Sequence, residues 1–277
     1  AHLKNFNKLK DIAKAKAEII DNILEDGNIV LNKDDRFFNF LYDKANNKGV
    51  KVTSFSFSKK ADVFLSSFLK IKNYYRLKII VKKKIYYFNI KYFTESFVNN
   101  ILSCISILSI LNLNLNILKN SFISFKIPDG RGDVKIVKKF KKKFKFIDES
   151  YNANPLSMVS AINNINLYKR KNNMKKIVLL GDMLELGKRS RLLHKNLSVV
   201  INRSDIDKVF VYGKYIKETF NCLSENKKGK IFKSLKDAYK CFDKIIHNND
   251  LLMVKGSNAT GLNQFSKNIK KGQISAI

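Results

Sequence analysis

From Phe144 onward, short runs of strand-forming residues alternate with stretches of helical periodicity, and this alternation restricts the fold more than any other property of the 277-residue chain. The strand runs are Phe144 to Ile147, Lys176 to Leu180, Lys208 to Tyr212, Lys230 to Phe232 and Leu251 to Val254. Between them lie helical stripes through Met158, Ile162 and Ile165, through Leu193, Leu197 and Val200, from Tyr215 to Phe220, and through Ala238 and Phe242, with a last helix after Val254. A helix between every two strands requires crossover connections, hence a parallel sheet covered on both faces. A doubly wound, Rossmann-like α/β domain is predicted. Its strand ends would place residues 149–154, 182–185 and 255–258 along one edge, the edge where such sheets bind ligands.

The first of these turns is the most informative. Phe144, Phe146 and Ile147 are strand-type, the polar run Asp148-Glu149-Ser150-Tyr151-Asn152-Ala153-Asn154 ends the strand, and Asn154-Pro155 offers a helix cap followed by proline at the first helical position. The uncapped N–H groups of a helix start favour an anion, although a plain strand–helix connection with an Asn cap has the same local pattern.

Upstream, Ile127-Pro-Asp-Gly-Arg-Gly132 holds one of two prolines and two of eleven glycines and marks a linker, dividing the chain into 1–130 and 131–277. Before it, strands are expected at Asn28 to Asn32, Val52 to Phe57, Val63 to Leu69, Leu77 to Val81 and Ile85 to Ile90, with Lys82-Lys83-Lys84 as a hairpin turn and a helix from Ser96 to Leu111. Between Asn7 and Leu24, Ile12, Ile19 and Ile23 fall on one helical face, and Lys16 lies on the same stripe. That lysine either snorkels to water or is used chemically.

The formal charge of +31, from 54 Lys and Arg against 23 Asp and Glu, would by itself suggest a nucleic-acid partner. The excess is spread along the chain with abundant Asn, Ile and Phe and no Trp, a pattern that A/T-rich codons produce without a function, so no nucleic acid is expected. A basic surface still favours anionic substrates. Cys104, Cys222 and Cys241 are odd in number and lack metal-ligand spacing, which suits a reducing cytoplasm. The charge-free run from Ser96 to Leu118 contains five Asn and four Ser, which predicts a buried helix and loop rather than a membrane span.

The run Asp148-Glu-Ser-Tyr-Asn-Ala-Asn-Pro155 resembles a signature of the Mur ligases, of the type that adds D-alanyl-D-alanine. Three further matches follow the same order: Ala1-His2-Leu3 with Ile12-Ala-Lys-Ala-Lys16, Gly181-Asp-Met-Leu-Glu-Leu-Gly187 with His194, and Val254-Lys-Gly-Ser257. The resemblance spans nearly the whole chain. It implies the C-terminal part of an ATP-binding central domain followed by the Rossmann-like ligase domain.

It further implies a cytoplasmic, monomeric enzyme of peptidoglycan precursor synthesis that uses ATP and Mg²⁺. Such an enzyme phosphorylates the carboxylate of a UDP-N-acetylmuramoyl tripeptide, and the amine of D-Ala-D-Ala then attacks the acyl phosphate. By the same resemblance His2 ligates Mg²⁺ and Lys16 is carbamylated, so that its contacting atoms act as a carboxylate. Asn32, Asp35, Asn100 and Arg131 are then nucleotide contacts, Glu149 a ribose contact, and Asn152, Asn154, Asp182, Lys255 and Ser257 substrate contacts. Asn32 and Asp35 fit a cap-and-turn role equally well, Asn100 an ordinary helix position, and His194 a satisfied structural role.

The chain departs from the family pattern in two places: Thr94-Glu95-Ser96 stands where relatives have Gly-x-His, and Ala259 and Gly261 where they commonly have Gly and Arg. No Gly-x-x-Gly-Lys-[Ser/Thr] phosphate loop occurs in the 277 residues. The first residues, Ala-His, include no initiator Met, so the expectation is a piece that is inactive alone, lacking the N-terminal domain and the phosphate loop. A sister Mur ligase, a non-catalytic remnant and a basic nucleic-acid-binding protein are the alternatives.

Overall fold

The computed structural model describes residues 8–170 and 173–276, which form two compact units, 8–126 and 127–276. In the first unit, α1 (Leu9–Asp21), β1 (Asn28–Asn32), α2 (Phe38–Asn47) and β2 (Lys51–Ser56) precede a meander of β3 (Val63–Ile71), β4 (Tyr74–Val81) and β5 (Lys84–Ile90), and α3 (Glu95–Ile110) follows. The strands form one five-stranded sheet in chain order, with β1, β2 and β3 parallel and β3, β4 and β5 antiparallel. Lys82 and Lys83 make the tight turn between β4 and β5, both at positive φ.

The α3 helix buries Val98, Ile101, Leu102 and Ile105 against Leu77, Ile79, Phe88 and Ile90. It is a core helix, as the Asn and Ser content of this run predicts. No helix among the described residues is long and apolar enough to cross a membrane.

The first helix corrects one expectation. Periodicity predicts a stripe of Ile12, Lys16, Ile19 and Ile23, but the buried face is Ala13, Ala17 and Ile20, packed with Ala45 and Val50. Alanines let the helix backbone approach α2 closely, which turns the contact face by one residue, about 100°. Lys16 is exposed and Ile19 is 64 % exposed, so the lysine does not sit on a buried apolar stripe.

The second unit begins with β6 (Asp133–Lys139) and β7 (Lys142–Glu149), then runs α4 (Pro155–Asn166), β8 (Lys176–Gly181), α5 (Ser190–Arg203), β9 (Lys208–Tyr212) and α6 (Ile216–Asn221). It ends with β10 (Lys228–Phe232), α7 (Leu235–Ile245), β11 (Leu251–Lys255), α8 (Leu262–Lys270) and β12 (Gln273–Ala276). Their sheet has the order β10-β9-β8-β11-β7-β6-β12, parallel from β10 to β7 and antiparallel at the β6 and β12 edge.

Strand alternation divides the core between the two faces. Val178, Leu180, Val209, Val211 and Met253 pack with α4 and α5, while Ile177, Leu179, Phe210, Leu252 and Val254 pack with α7 and α8. This is the doubly wound α/β arrangement. The antiparallel edge is the addition that the alternation of strands and helices did not anticipate.

On the α7 and α8 face, Phe242 is fully buried, with ring centroids 5.2 Å from Phe210, 5.7 Å from Phe232 and 5.9 Å from Phe265. Truncating it removes a ring at which three others meet. Phe242→Ala should destabilise this unit by about 3–5 kcal/mol, read as a lower denaturant midpoint by circular dichroism, with the midpoint of the 8–126 unit left in place.

Candidate functional site

Because β7, β8 and β11 are parallel, their carboxyl ends lie side by side. The register pairs Lys255 with Glu149 on one flank and with Leu180 on the other. The turns that follow are tied together by side chains. Lys255, 2 % exposed, places Nζ 3.2 Å from Glu149 Oε2 and donates to the Asn152 carbonyl at 3.0 Å. Ser257 Oγ accepts the Leu184 N–H at 2.9 Å and donates to the Ala153 carbonyl at 3.3 Å, while the Ser257 N–H donates to the Asp182 carbonyl at 3.0 Å. The residues expected at this edge, 149–154, 182–185 and 255–258, are therefore brought together within one unit.

Asn154 is the N-cap of α4. Its Oδ1 accepts the Ser157 N–H at 2.9 Å, the Ser157 hydroxyl returns to the Asn154 N–H, and Pro155 follows at the first helical position. The cap uses Oδ1 and leaves the amide NH₂ for other contacts. Asn152 is exposed beside it.

Asp182 is committed to structure. Its carboxylate accepts the N–H groups of Lys214 and Tyr215 at 2.9 Å each and of Ile216 at 2.7 Å, which fixes the loop after β9. A side chain at Gly213, φ +145°, would meet Asp182 Oδ1 at 2.5 Å, so this loop needs a glycine there. His194 is fully buried. Its Nε2 accepts the Met183 N–H at 2.9 Å, so the proton lies on Nδ1, which donates to the Ser190 carbonyl at 2.7 Å. Burial pushes the imidazole below its ordinary range despite that carbonyl. It is a satisfied neutral histidine supporting the 182–187 turn.

Arg131 stands in the same unit. The Gly132 N–H donates to the Asp148 carbonyl at 2.7 Å and the Tyr151 N–H to the Gly130 carbonyl at 3.1 Å, which docks the 130–132 turn against the end of β7. The exposed Arg131 guanidinium lies 4.1 Å from the Tyr151 ring centroid. Its stacked planar fork is suited to phosphate or carboxylate oxygens.

Below this turn lies a charge cluster with no motif to announce it. Lys270 Nζ is 2.7 Å from Asp148 Oδ2 and 3.0 Å from Asp129 Oδ1, and Lys135 Nζ is 3.2 Å from Asp133 Oδ2. Burial alone would lower the Lys270 ammonium, but Asp148 and Asp129 outweigh it and hold it above its ordinary value. Lys270 comes from the far end of the sequence, so only the fold reveals it.

In the 8–126 unit, Asn32 Oδ1 accepts the Asp34 N–H at 2.9 Å and Asp35 Oδ1 accepts the Phe37 N–H at 2.7 Å, both turn and cap bonds. The organising side chain there is the neighbouring Asp34, which the motif reading passed over. Its carboxylate accepts the hydroxyls of Ser56 (2.8 Å) and Ser58 (2.6 Å) and the Phe57 N–H (2.7 Å). Burial raises the Asp34 carboxyl, yet these donors outweigh it and hold the group below its usual range. Asn100 is exposed on α3, and His2 lies outside the described residues.

Burial raises the Glu149 carboxyl, and the Lys255 ammonium only partly offsets this. A folded-state carboxyl that titrates above its unfolded value of 4.5 binds more protons than the unfolded chain, so stability falls as pH rises through that window. Lys255→Met removes the counter-charge and should raise the carboxyl further. The variant should lose about 3 kcal/mol at pH 7 and much less near pH 4.5, as thermal melts across this range would show. A loss independent of pH would refute an electrostatic role for the pair.

Residues 1–108 match the Mur ligase middle domain and residues 134–258 the domain described as "Mur ligase, glutamate ligase domain". Among curated proteins, the UDP-N-acetylmuramoyl-tripeptide–D-alanyl-D-alanine ligase of Rickettsia prowazekii is 26% identical over 265 residues, covering 95% of this chain and 58% of that protein. The enzyme of the same name from Buchnera aphidicola subsp. Baizongia pistaciae is 31% identical over 221 residues, 79% of this chain and 45% of its own length. The chain thus spans about half the length of these relatives. Among solved structures, MurF from Acinetobacter baumannii superposes with a TM-score of 0.80 at 21% identity, over 98% of this chain and 57% of that one. MurF from Thermotoga maritima in complex with ADP gives 0.77 at 22% identity, over 98% and 60%. With both domain matches in order along one chain and the two-sheet fold shared, the chain belongs to the Mur ligase family.

Proposed function

We propose that this chain carries nucleotide- and dipeptide-binding parts of an ATP-dependent amide ligase that joins D-Ala-D-Ala to a UDP-N-acetylmuramoyl tripeptide. The observation that carries the reading is the meeting of the Asp148–Pro155, Gly181–Gly187 and Lys255–Ser257 turns at one sheet edge, tied by Lys255 and Ser257. Relatives whose names state this activity match 95% and 79% of this chain.

In this reading ATP converts the tripeptide carboxylate to an acyl phosphate, which the dipeptide amine attacks to form the amide. The protein's task is to position anions and an amine. Arg131, held exposed over Tyr151, supplies a bidentate donor for phosphate oxygens, and Glu149 an acceptor for a ribose hydroxyl. Asn32, Asp35 and Asn100 complete the nucleotide set, with Asn32 and Asp35 working through the turn they brace. Asn152 and Asn154 suit a zwitterion, because an amide donates to its carboxylate and accepts from its ammonium. Ser257, Lys255 and Asp182 hold these turns in register.

The resemblance expects Mg²⁺ ligands at His2, which lies outside the described residues, and at Lys16 as its carbamate. The described residues do not by themselves fit a metal ion: no cluster of three His, Cys, Asp or Glu occurs among them, and Lys16 is exposed on α1. No step is therefore assigned to the metal.

Titrating the chain with D-Ala-D-Ala, followed by NMR or calorimetry, tests the reading. The D,D dipeptide should bind saturably and the L,L dipeptide should not. Asn154→Ala should lower stability by only about 1 kcal/mol, while losing about 1.5–3 kcal/mol of dipeptide affinity. Unchanged affinity with the same stability loss would make Asn154 a cap alone. As no phosphate-loop sequence occurs in its 277 residues, the purified chain should show no Mg²⁺-dependent ATP turnover, and measurable turnover would contradict the assignment of parts.

A further inference from the structure

Arg131 sits in a turn that its own sequence leaves loose. Gly130 and Gly132 flank it at φ +77° and +94°. A Cβ on Gly130 would meet the Tyr151 backbone N at 2.9 Å, and one on Gly132 would meet Glu149 Oε1 at 2.8 Å. The glycines let the turn close on the signature segment, and for the same reason its backbone has the most freedom to leave. The Arg131 side chain does little to hold it: among the described residues the guanidinium has no ion-pair partner and touches only the Tyr151 ring.

One cation reaches this turn from the far end of the unit. Lys270, the last residue of α8, places Nζ 2.7 Å from Asp148 Oδ2, 3.0 Å from Asp129 Oδ1 and 4.0 Å from Asp133 Oδ2. These carboxylates bracket Arg131. Asp129 precedes the turn, Asp133 follows it and accepts the Gly130 N–H through Oδ1 at 3.3 Å, and Asp148 lies at the end of β7, where its carbonyl accepts the Gly132 N–H. Lys135 pairs with Asp129 at 3.6 Å and Asp133 at 3.2 Å, so Lys270 alone joins the turn to the Asp148 carboxylate.

Without Lys270, three carboxylates would face one lysine. Asp148 and Asp133 are buried in the sheet and cannot separate, and the Asp148 charge already adds to burial in pushing the Asp133 carboxyl up. Asp129, with its side chain 72 % exposed, is the member free to swing away, and it would take the glycine turn with it.

We infer that Lys270 is a positioning residue for Arg131: by clamping Asp129 to Asp148 it holds the 130–132 turn closed and presents the guanidinium, stacked on Tyr151, to a nucleotide phosphate. The inference rests on the reading of Arg131 as a phosphate contact. Lys270 itself touches no ligand in this role. Its effect is to order the arginine before the ligand arrives, which spares the ligand that cost.

The test reads the clamp in two ways on the full chain. In NMR, the Arg131 guanidinium protons carry a ring-current shift from Tyr151, with Tyr151→Leu as the control that removes it. Calorimetric titration with ADP and with adenosine measures the phosphate contact. Arg131→Ala should weaken ADP binding about tenfold, as for loss of a charged hydrogen bond, and leave adenosine binding alone. Lys270→Met should remove the ring-current shift, weaken ADP to the same degree, and have no further effect when added to Arg131→Ala, since both lose one contact. Lys270→Arg keeps a cation between Asp129 and Asp148 and should retain the shift.

Because Lys270→Met leaves Asp148 buried without its counter-charge, Asp129→Asn supplies the variant that keeps the fold. It should leave the melting midpoint nearly unchanged, diminish the ring-current shift and weaken ADP about threefold, the scale of one partly exposed pair. If the arginine stays stacked in both Asp129→Asn and Lys270→Met, or if the Lys270→Met loss adds in full to that of Arg131→Ala, Lys270 is an anchor of the fold alone and the inference is overturned. If the shift follows Lys270 as expected but the unmodified chain binds no ADP, the clamp stands and the phosphate reading of Arg131 falls.

Discussion

The C-terminal unit depends on an ammonium group buried where three parallel strands end. β11 enters the sheet between β7 and β8, and this places Lys255 between their last residues. At 2 % exposure its charge requires partners, and it finds the Glu149 carboxylate and the Asn152 carbonyl on the neighbouring turn. The same contacts that satisfy the lysine hold the signature turn in shape. One interaction therefore couples strand order, burial and the geometry of the candidate site.

Much of the polar chemistry at this edge is architectural. Asp182 secures the loop after β9, His194 supports the turn after β8, and Lys270 draws Asp129 and Asp148 together beneath the 130–132 turn. Asp182 and His194 are buried and Lys270 is partly buried, and each is bonded, as a polar group removed from water must be. What remains available at the surface is a smaller set: the Asn154 amide, Asn152 and the stacked Arg131 guanidinium. The division has a physical basis, since side chains that hold a site rigid cannot also be released to a ligand.

Legibility differed between the two kinds of signal. Strand alternation, the Asn154-Pro155 cap and the convergence of three turns were readable because each follows from local sequence and from the rule that parallel strands share a carboxyl edge. The stripe through Lys16 is not the buried one, because alanine scores weakly as an apolar residue, yet Ala13 and Ala17 permit close helix approach. Asp34 escaped notice beside Asn32 and Asp35, since its donors Ser56, Phe57 and Ser58 come from the next strand end. The antiparallel edge of β6 and β12 is not legible either: Lys135 within, and Lys138 and Lys139 after, the apolar run Val134, Ile136 and Val137 disguise a half-exposed strand.

By itself the sequence determined the fold class, the order of the two units and the family, because periodicity, turn residues and motif order are properties of adjacent positions. Tertiary structure decided which polar residues are anchors and which are open to a ligand. It also decided that Lys255 reaches Glu149 and that Lys270 reaches Asp148. Those pairings join residues far apart in the chain. The free energy of a charge depends on what surrounds it in space, and spacing along the sequence does not carry that information.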